Sequence, residues 1–442
     1  MTELLDLCDR VLELVGDRAE TEVTVSSGRS ALTRFANSAI HQNVADDGTW
    51  VGLKVVVDGR WATSGTNRTD AEALVRVVDR ALAAAPLRPV DPDWPGLAPP
   101  QAAPPVDHYD EATAVAAPEE RARVVRDFVA AGAGREPLRG AGFCDTSGWR
   151  TAFANSAGQR LEGRSTRATV EAIHRTATSD GRGWQTSGRL ADLDGSAAGR
   201  TAAEKARIGD SNTSDLPPGP YEVVLEPACV ADLLDFLVGH GFNAKAHEEG
   251  RSFVELGRAQ LDPAIDLWDD ATDPRAIGRA FDAEGTPKRR LDLVRGGVCQ
   301  ALAHDRRTAK RAGGNAESTG HAGGANSGGV CSNLFLAPGR SPVADLVAAV
   351  ERGLLVTEFW YTRILDPKTQ VVTGLTRNGT FLIENGQVRG GIRNLRFTQS
   401  YVEALSPGNV LGVGDDARLF GADAHVPTLH LRSWNFTGGA GG

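Results

Sequence analysis

The stretch Pro220–Gly250, PYEVVLEPACVADLLDFLVGHGFNAKAHEEG, sets the tightest limit on how this chain can fold. Tyr221–Leu225 is aromatic and β-branched and follows the turn-rich Leu216-Pro217-Pro218-Gly219, so it reads as a strand. Pro227 suits the first position of a helix, where its missing N–H costs nothing. Val230, Leu233, Leu234, Leu237 and Val238 then recur at helical spacing and predict a buried face. Gly239 and Gly241 mark the helix end, with His240 between them. A strand feeding directly into so apolar a helix predicts a helix laid against a sheet.

The flanking sequence extends this to an α+β chain. Thr2–Val15 is an amphipathic helix and Glu20–Val25 a strand. Leu32–Phe35 and Ile40–Val44 read as two more short strands, broken by Ala36-Asn37-Ser38. Trp50–Val57 turns at Asp58-Gly59, and Asp70 caps a helix through Ala85. Leu87–His108 is rich in Pro, Asp and Ala and reads as a surface crossing. Gly140–Cys144 and Arg150–Asn155 are expected as strands around Thr146-Ser147-Gly148. Phe153-Ala154-Asn155-Ser156 repeats Phe35-Ala36-Asn37-Ser38 and suggests one bend used twice. Ser179–Gly183 reads as a loop, Phe397–Ala404 as a helix, Val426–Leu431 as the last strand and Thr437–Gly442 as a loose end. These elements divide into an N-terminal α+β domain, 1–215, and a strand-rich C-terminal domain, 216–442.

Charge and composition narrow the function. With 48 Lys and Arg against 57 Asp and Glu, the net charge of −9 gives no global support for nucleic-acid binding. The cationic residues Lys288–Arg290, Arg306, Arg307, Lys310 and Arg311 lack interleaved aromatics and read as a solvated face. The acidic turn Leu267–Pro274 reads as a solvated loop. Five cysteines without C-x-x-C pairs suggest reduced thiols, and neither a leader nor a membrane-length apolar run is evident. A cytoplasmic protein without membrane or nucleic-acid partners is expected.

Several tracts carry a resemblance. Arg34–Gln42 (RFANSAIHQ), Gly59–Asn67, Phe281–Pro287 (FDAEGTP), Glu317–Gly324 (ESTGHAGG) and Gly353–Gly386 join the central strand and helix in resembling the TldD/PmbA (TldD/TldE) metallopeptidase family. In the TldD branch the central helix carries His-Glu-x-x-x-His, whose histidines hold zinc and whose glutamate polarises water. Here Asp235, Phe236 and His240 stand at those positions, and phenylalanine cannot accept a proton. TldD-type enzymes complete the site with a cysteine near the C-terminus, where this chain reads LFGADAHVPT over Leu419–Thr428.

The resemblance therefore implies the TldE/PmbA-like branch. This chain would be a non-catalytic subunit with no catalytic residue and no metal of its own, paired with a TldD-like catalytic subunit that holds the zinc. The substrate implied is an extended peptide, from unfolded polypeptides or modified-peptide precursors. Gly320, His321, Gly323 and Gly324 are the candidate peptide contacts, because glycines allow close backbone approach. Two alternatives stay open: a self-sufficient metallopeptidase with a site rebuilt from Asp235, His240 and His425, and a homodimeric peptide-binding protein.

Overall fold

The computed structural model describes residues 2–210, 215–324 and 326–439. It is a mixed α+β chain with an N-terminal and a C-terminal domain. The N-terminal sheet has six strands, in the order Arg60–Thr66, Ala39–Val57, Glu20–Ala36, Arg139–Asn155, Arg160–Arg175 and Asp180–Ser187. Every neighbouring pair is antiparallel. The helices Thr2–Val15 and Ala71–Ala84 bury Cys8, Val11, Leu74 and Val78 against Val23, Val25 and Leu53. The helices Pro118–Ala131 and Gly195–Asp210 close a second cluster around Phe35, Phe128 and Val170.

Four expectations change here. The short strands before and after Asn37 are the two arms of one long hairpin, Glu20–Ala36 and Ala39–Val57. Asn37 and Ser38 both take positive φ, 48° and 62°, so they form the tight turn whose twist matches paired strands. The echo at Asn155 bends differently. Its side chain accepts from the N–H groups of Ala157 and Gln159, and Gly158 supplies the positive φ. Thr146-Ser147-Gly148 is no turn: Arg139–Asn155 runs unbroken because it is paired on both sides. The Ser179–Gly183 loop is largely a strand, Asp180–Ser187. Gly181 and Gly183 let the Gly195–Asp210 helix rest on its backbone, and a Cβ at Gly183 would stand 1.9 Å from the Ala198 carbonyl oxygen.

The crossing forms no regular element between Arg88 and Asp110 and ties the two domains together. Asp91 pairs with Arg307, and Asp93 with Arg311 at 2.7 Å. Lys310 Nζ donates to the Trp94 carbonyl at 2.8 Å, and Arg306 to the Leu97 carbonyl at 3.0 Å. His108 reaches the carbonyls of Asp273 and Gly278, each at 3.0 Å. Of the cations expected on a solvated face, Arg306 and Arg307 are half-buried in this clamp and Lys288 is buried, whereas Lys310 and Arg311 hold the crossing from exposed positions and Arg289 and Arg290 stay exposed.

The C-terminal domain holds two sheets. The nine-stranded sheet centres on Leu429–Gly439, which lies between Leu395–Ser400 and Gly219–Leu225. Gly219–Leu225 in turn pairs in parallel with Arg352–Val356. The second sheet has six short strands, including Leu267–Asp269, Leu334–Leu336 and Ala424–Val426. The Pro227–Gly241 helix shares one hydrophobic core with both sheets, and its Leu233, Leu234 and Leu237 are fully buried. Phe397 belongs to a strand rather than to the expected helix. It is buried in the sheet core, and only Tyr401–Ala404 is helical, capped by Ser400. Thr437–Gly439 is paired in the last strand, and 440–442 lie outside the described residues, as do 211–214 of the expected link between domains.

Candidate functional site

One edge of the central helix faces a cavity of about 600 Å³. Asp232 and Asp235 of the helix line it, with Glu358 and Asp423 from the C-terminal domain and Glu171 and Arg182 from the N-terminal sheet. Both domains therefore build its wall. Arg182 pairs with Glu171 at 3.0 Å and with Glu358 at 3.4 Å.

The remaining carboxylates are held against their preference to ionise. Burial pushes Asp232 up to about 6, against hydrogen bonds from Thr362 at 2.7 Å and Tyr401 at 3.1 Å. Burial also raises Asp235, with His240 opposing. It raises Asp423, and Asp235 adds repulsion there. At the rim, Tyr361 is exposed with φ of 53°, a strained conformation for a bulky residue. Trp360 beside it is held by Arg377, 4.2 Å above its ring.

Among the described residues, the positions where the resemblance places a zinc motif do not belong to a converging group of three ligand-type side chains. Asp235 lines the cavity, while the Phe236 ring stacks on His240 at 6.3 Å and meets Tyr401 edge-on at 6.1 Å. An apolar ring therefore stands where the resemblance would place a base. His240 is lowered by burial and by Arg251, which disfavours a cation beside it. His425 does not complete the set: it stacks on Phe335 at 5.5 Å and feels Arg275 and Asp273. The donor set does not fit a zinc ion, and no hydrolytic step is assigned to these residues.

A different set of donors converges nearby. Asp269, from the turn expected to be solvated, is fully buried. His321 is buried with it, and its Nε2 lies 2.9 Å from Asp269 Oδ1. Asp269, His321 and Cys331 bring ligand-type atoms within 4.8 Å of one another. Cys331 also lines the acidic cavity. The other acidic residues in and next to the turn are engaged separately: Asp266 accepts from Gly296 N, Asp270 from Thr272, and Asp273 from Arg275.

The Gly-rich loop divides. Gly320 and His321 lie inside the fold, and a Cβ at Gly320 would stand 2.3 Å from the Pro287 carbonyl oxygen. Gly323 and Gly324 instead line a separate cavity of about 610 Å³ with Trp50, Lys54, Trp61 and Glu284. Burial raises Glu284 there to about 7, although Arg306 N–H donates to it.

The sheet order, the core helix and the cavity at its edge define a two-domain α+β protein of metallopeptidase-related architecture. Residues 218–438 match the PmbA/TldA metallopeptidase C-terminal domain, and residues 21–85 match domain 1 of the same family. The chain belongs to the PmbA/TldA (TldD/PmbA) family. The structure of TldE from Thermococcus kodakarensis superposes with a TM-score of 0.87 at 18% identity, covering 98% of this chain and 100% of that one. A solved protein from Bacteroides thetaiotaomicron gives 0.86 at 20% identity, covering 99% of each chain. The TldD metalloprotease homologue of Buchnera aphidicola is 24% identical over 210 residues, 46% of this chain and 42% of that protein. The chain spans less than half the length of the curated relatives it matches.

Proposed function

We propose that this chain is the non-catalytic, TldE/PmbA-like subunit of a heteromeric, cytoplasmic TldD/TldE-type zinc metalloprotease acting on unfolded peptides or modified-peptide precursors. One observation supports the reading: Phe236, at the position the resemblance gives to the catalytic base, packs its ring against His240 and Tyr401. The zinc and the water-activating glutamate would come from a TldD-like partner. This chain would supply walls and peptide contacts. Gly323 and Gly324, open to a cavity, are suited to touch an extended peptide backbone. Gly320 and His321, being buried, would contribute by holding that loop in place.

The test is cleavage of an unfolded peptide by this chain alone, by a TldD-like chain bearing His-Glu-x-x-x-His alone, and by the two mixed. Co-elution of the pair and cleavage only by the mixture is the expected result. Cleavage by this chain alone, abolished in His240→Ala, would overturn the reading. So would a TldD-like chain that neither binds it nor gains activity from it.

A further inference from the structure

The donor arrangement around His321 is unusual for a buried residue. Its Nδ1 lies 2.9 Å from the Thr319 carbonyl oxygen, an atom that can only accept, and 3.0 Å from Thr319 Oγ1, whose own proton goes to the His304 carbonyl at 3.1 Å, so Nδ1 carries the proton. In neutral imidazole that leaves Nε2 with a lone pair, and Nε2 faces Asp269 Oδ1 at 2.9 Å. Two lone pairs do not sit at that distance without something electropositive between them. The second oxygen of Asp269 is fixed by the Asn333 N–H at 2.6 Å, so the carboxylate is held in this orientation. Cys331, which forms no disulfide, brings its Sγ to the same point.

We propose that Asp269, His321 and Cys331 form a three-ligand site for a thiophilic divalent cation of the zinc class. One nitrogen, one carboxylate oxygen and one sulfur is a donor set that zinc accepts and that hard cations such as calcium and magnesium do not seek. In tetrahedral zinc sites neighbouring ligand atoms stand roughly 3.3–3.7 Å apart, so donors already within 4.8 Å need little movement to close on an ion. The partners of the ligands are also present. The Thr319 carbonyl sets the histidine tautomer and the Asn333 N–H orients the carboxylate. Two anions, carboxylate and thiolate, balance a divalent charge. Lys288 Nζ is committed to Ser332 Oγ at 2.7 Å and Asn333 Oδ1 at 3.2 Å. Cys331 lies on the wall of the acidic cavity, so the ion's fourth position opens toward it. This site is separate from Asp235 and His240. It goes beyond the partner-subunit reading and is tested without any peptidase assay.

The experiment uses the full chain, stripped with chelator and loaded with Zn²⁺ or Co²⁺ before buffer exchange. About one ion per chain is expected to remain, and the Co²⁺ form should show thiolate-to-metal charge-transfer absorption in the near ultraviolet. Cys331→Ser should abolish that band and weaken Zn²⁺ binding more than about tenfold. Asp235→Asn and His240→Ala should leave both unchanged. Cys331→Ser swaps one atom on a cavity wall, so it reports even if His321→Ala fails to fold. Absence of retained metal in the wild-type chain would overturn the proposal, leaving a shared proton to explain the 2.9 Å contact. Retention that survives Cys331→Ser with an unchanged Co²⁺ spectrum would overturn it equally.

Discussion

Asp232 shows how one side chain couples the cavity to stability. Its carboxyl is raised to about 6 from an ordinary 3.8, chiefly by burial. Between those values the native state holds a proton that the unfolded chain has released. Its contribution is therefore present at low pH and lost as pH rises through about 6. Asp232→Asn should raise stability at about pH 8 by about 1–2 kcal/mol and leave it nearly unchanged at about pH 4. Urea denaturation of both proteins at the two pH values checks this. A variant–wild-type gap that does not change with pH would mean that Asp232 stays ionised in the fold. At this scale the placement of Asp235, Phe236 and His240 on one helix was legible, because apolar spacing fixes that helix. The Asp269–His321–Cys331 cluster was not. Its members lay in an acidic turn, a Gly-rich loop and a scattered set of thiols. The antiparallel pairing of Leu334 with Asp269 is what carries Cys331 to Asp269.

The elements most readily misread from sequence were those whose glycines and polar residues imitate turns. Gly183 is the clearest. It marked a loop by composition, yet it serves as the seat of a helix whose Ala198 carbonyl would lie 1.9 Å from an added Cβ. Gly183→Ala should cost about 2–3 kcal/mol by forcing helix and strand apart. Gly188→Ala, where the nearest atom is 3.8 Å away, should be nearly neutral. Thermal melts of the two variants separate close approach from a general intolerance of side chains in this region. The central strand and helix were legible for the opposite reason. Apolar spacing over Val230–Val238 leaves one periodicity to choose, and burial on nearly all sides follows from its composition.

In the whole molecule, the irregular strap between Arg88 and Asp110 joins the N-terminal sheet to the Arg306–Ala312 helix. Arg307 binds both Asp91 and Asn326 Oδ1, the latter at 2.6 Å, in a partly buried setting. Arg307→Ala should cost about 1–2 kcal/mol and speed proteolytic nicking within the strap. Asp93→Asn, at a more exposed pair, should do less, and added salt should narrow its difference from the wild type. Nicking rates and melting temperatures across a salt series give the readout. Composition showed that the strap crosses a surface. It could not show which surface, because its partners lie far along the chain.

The strand order also sets a timetable for synthesis. The N-terminal sheet draws only on residues 20–187, so it can close while the ribosome is still translating the rest. The nine-stranded sheet cannot, because Leu429–Gly439 fills the slot between Leu395–Ser400 and Gly219–Leu225. Until that strand emerges, two apolar edges stand bare inside what will become the core, open to pairing with the same edges on neighbouring nascent chains. Chaperone demand for this protein should therefore peak in the final moments of translation, and premature release there should yield aggregates rather than a half-folded monomer.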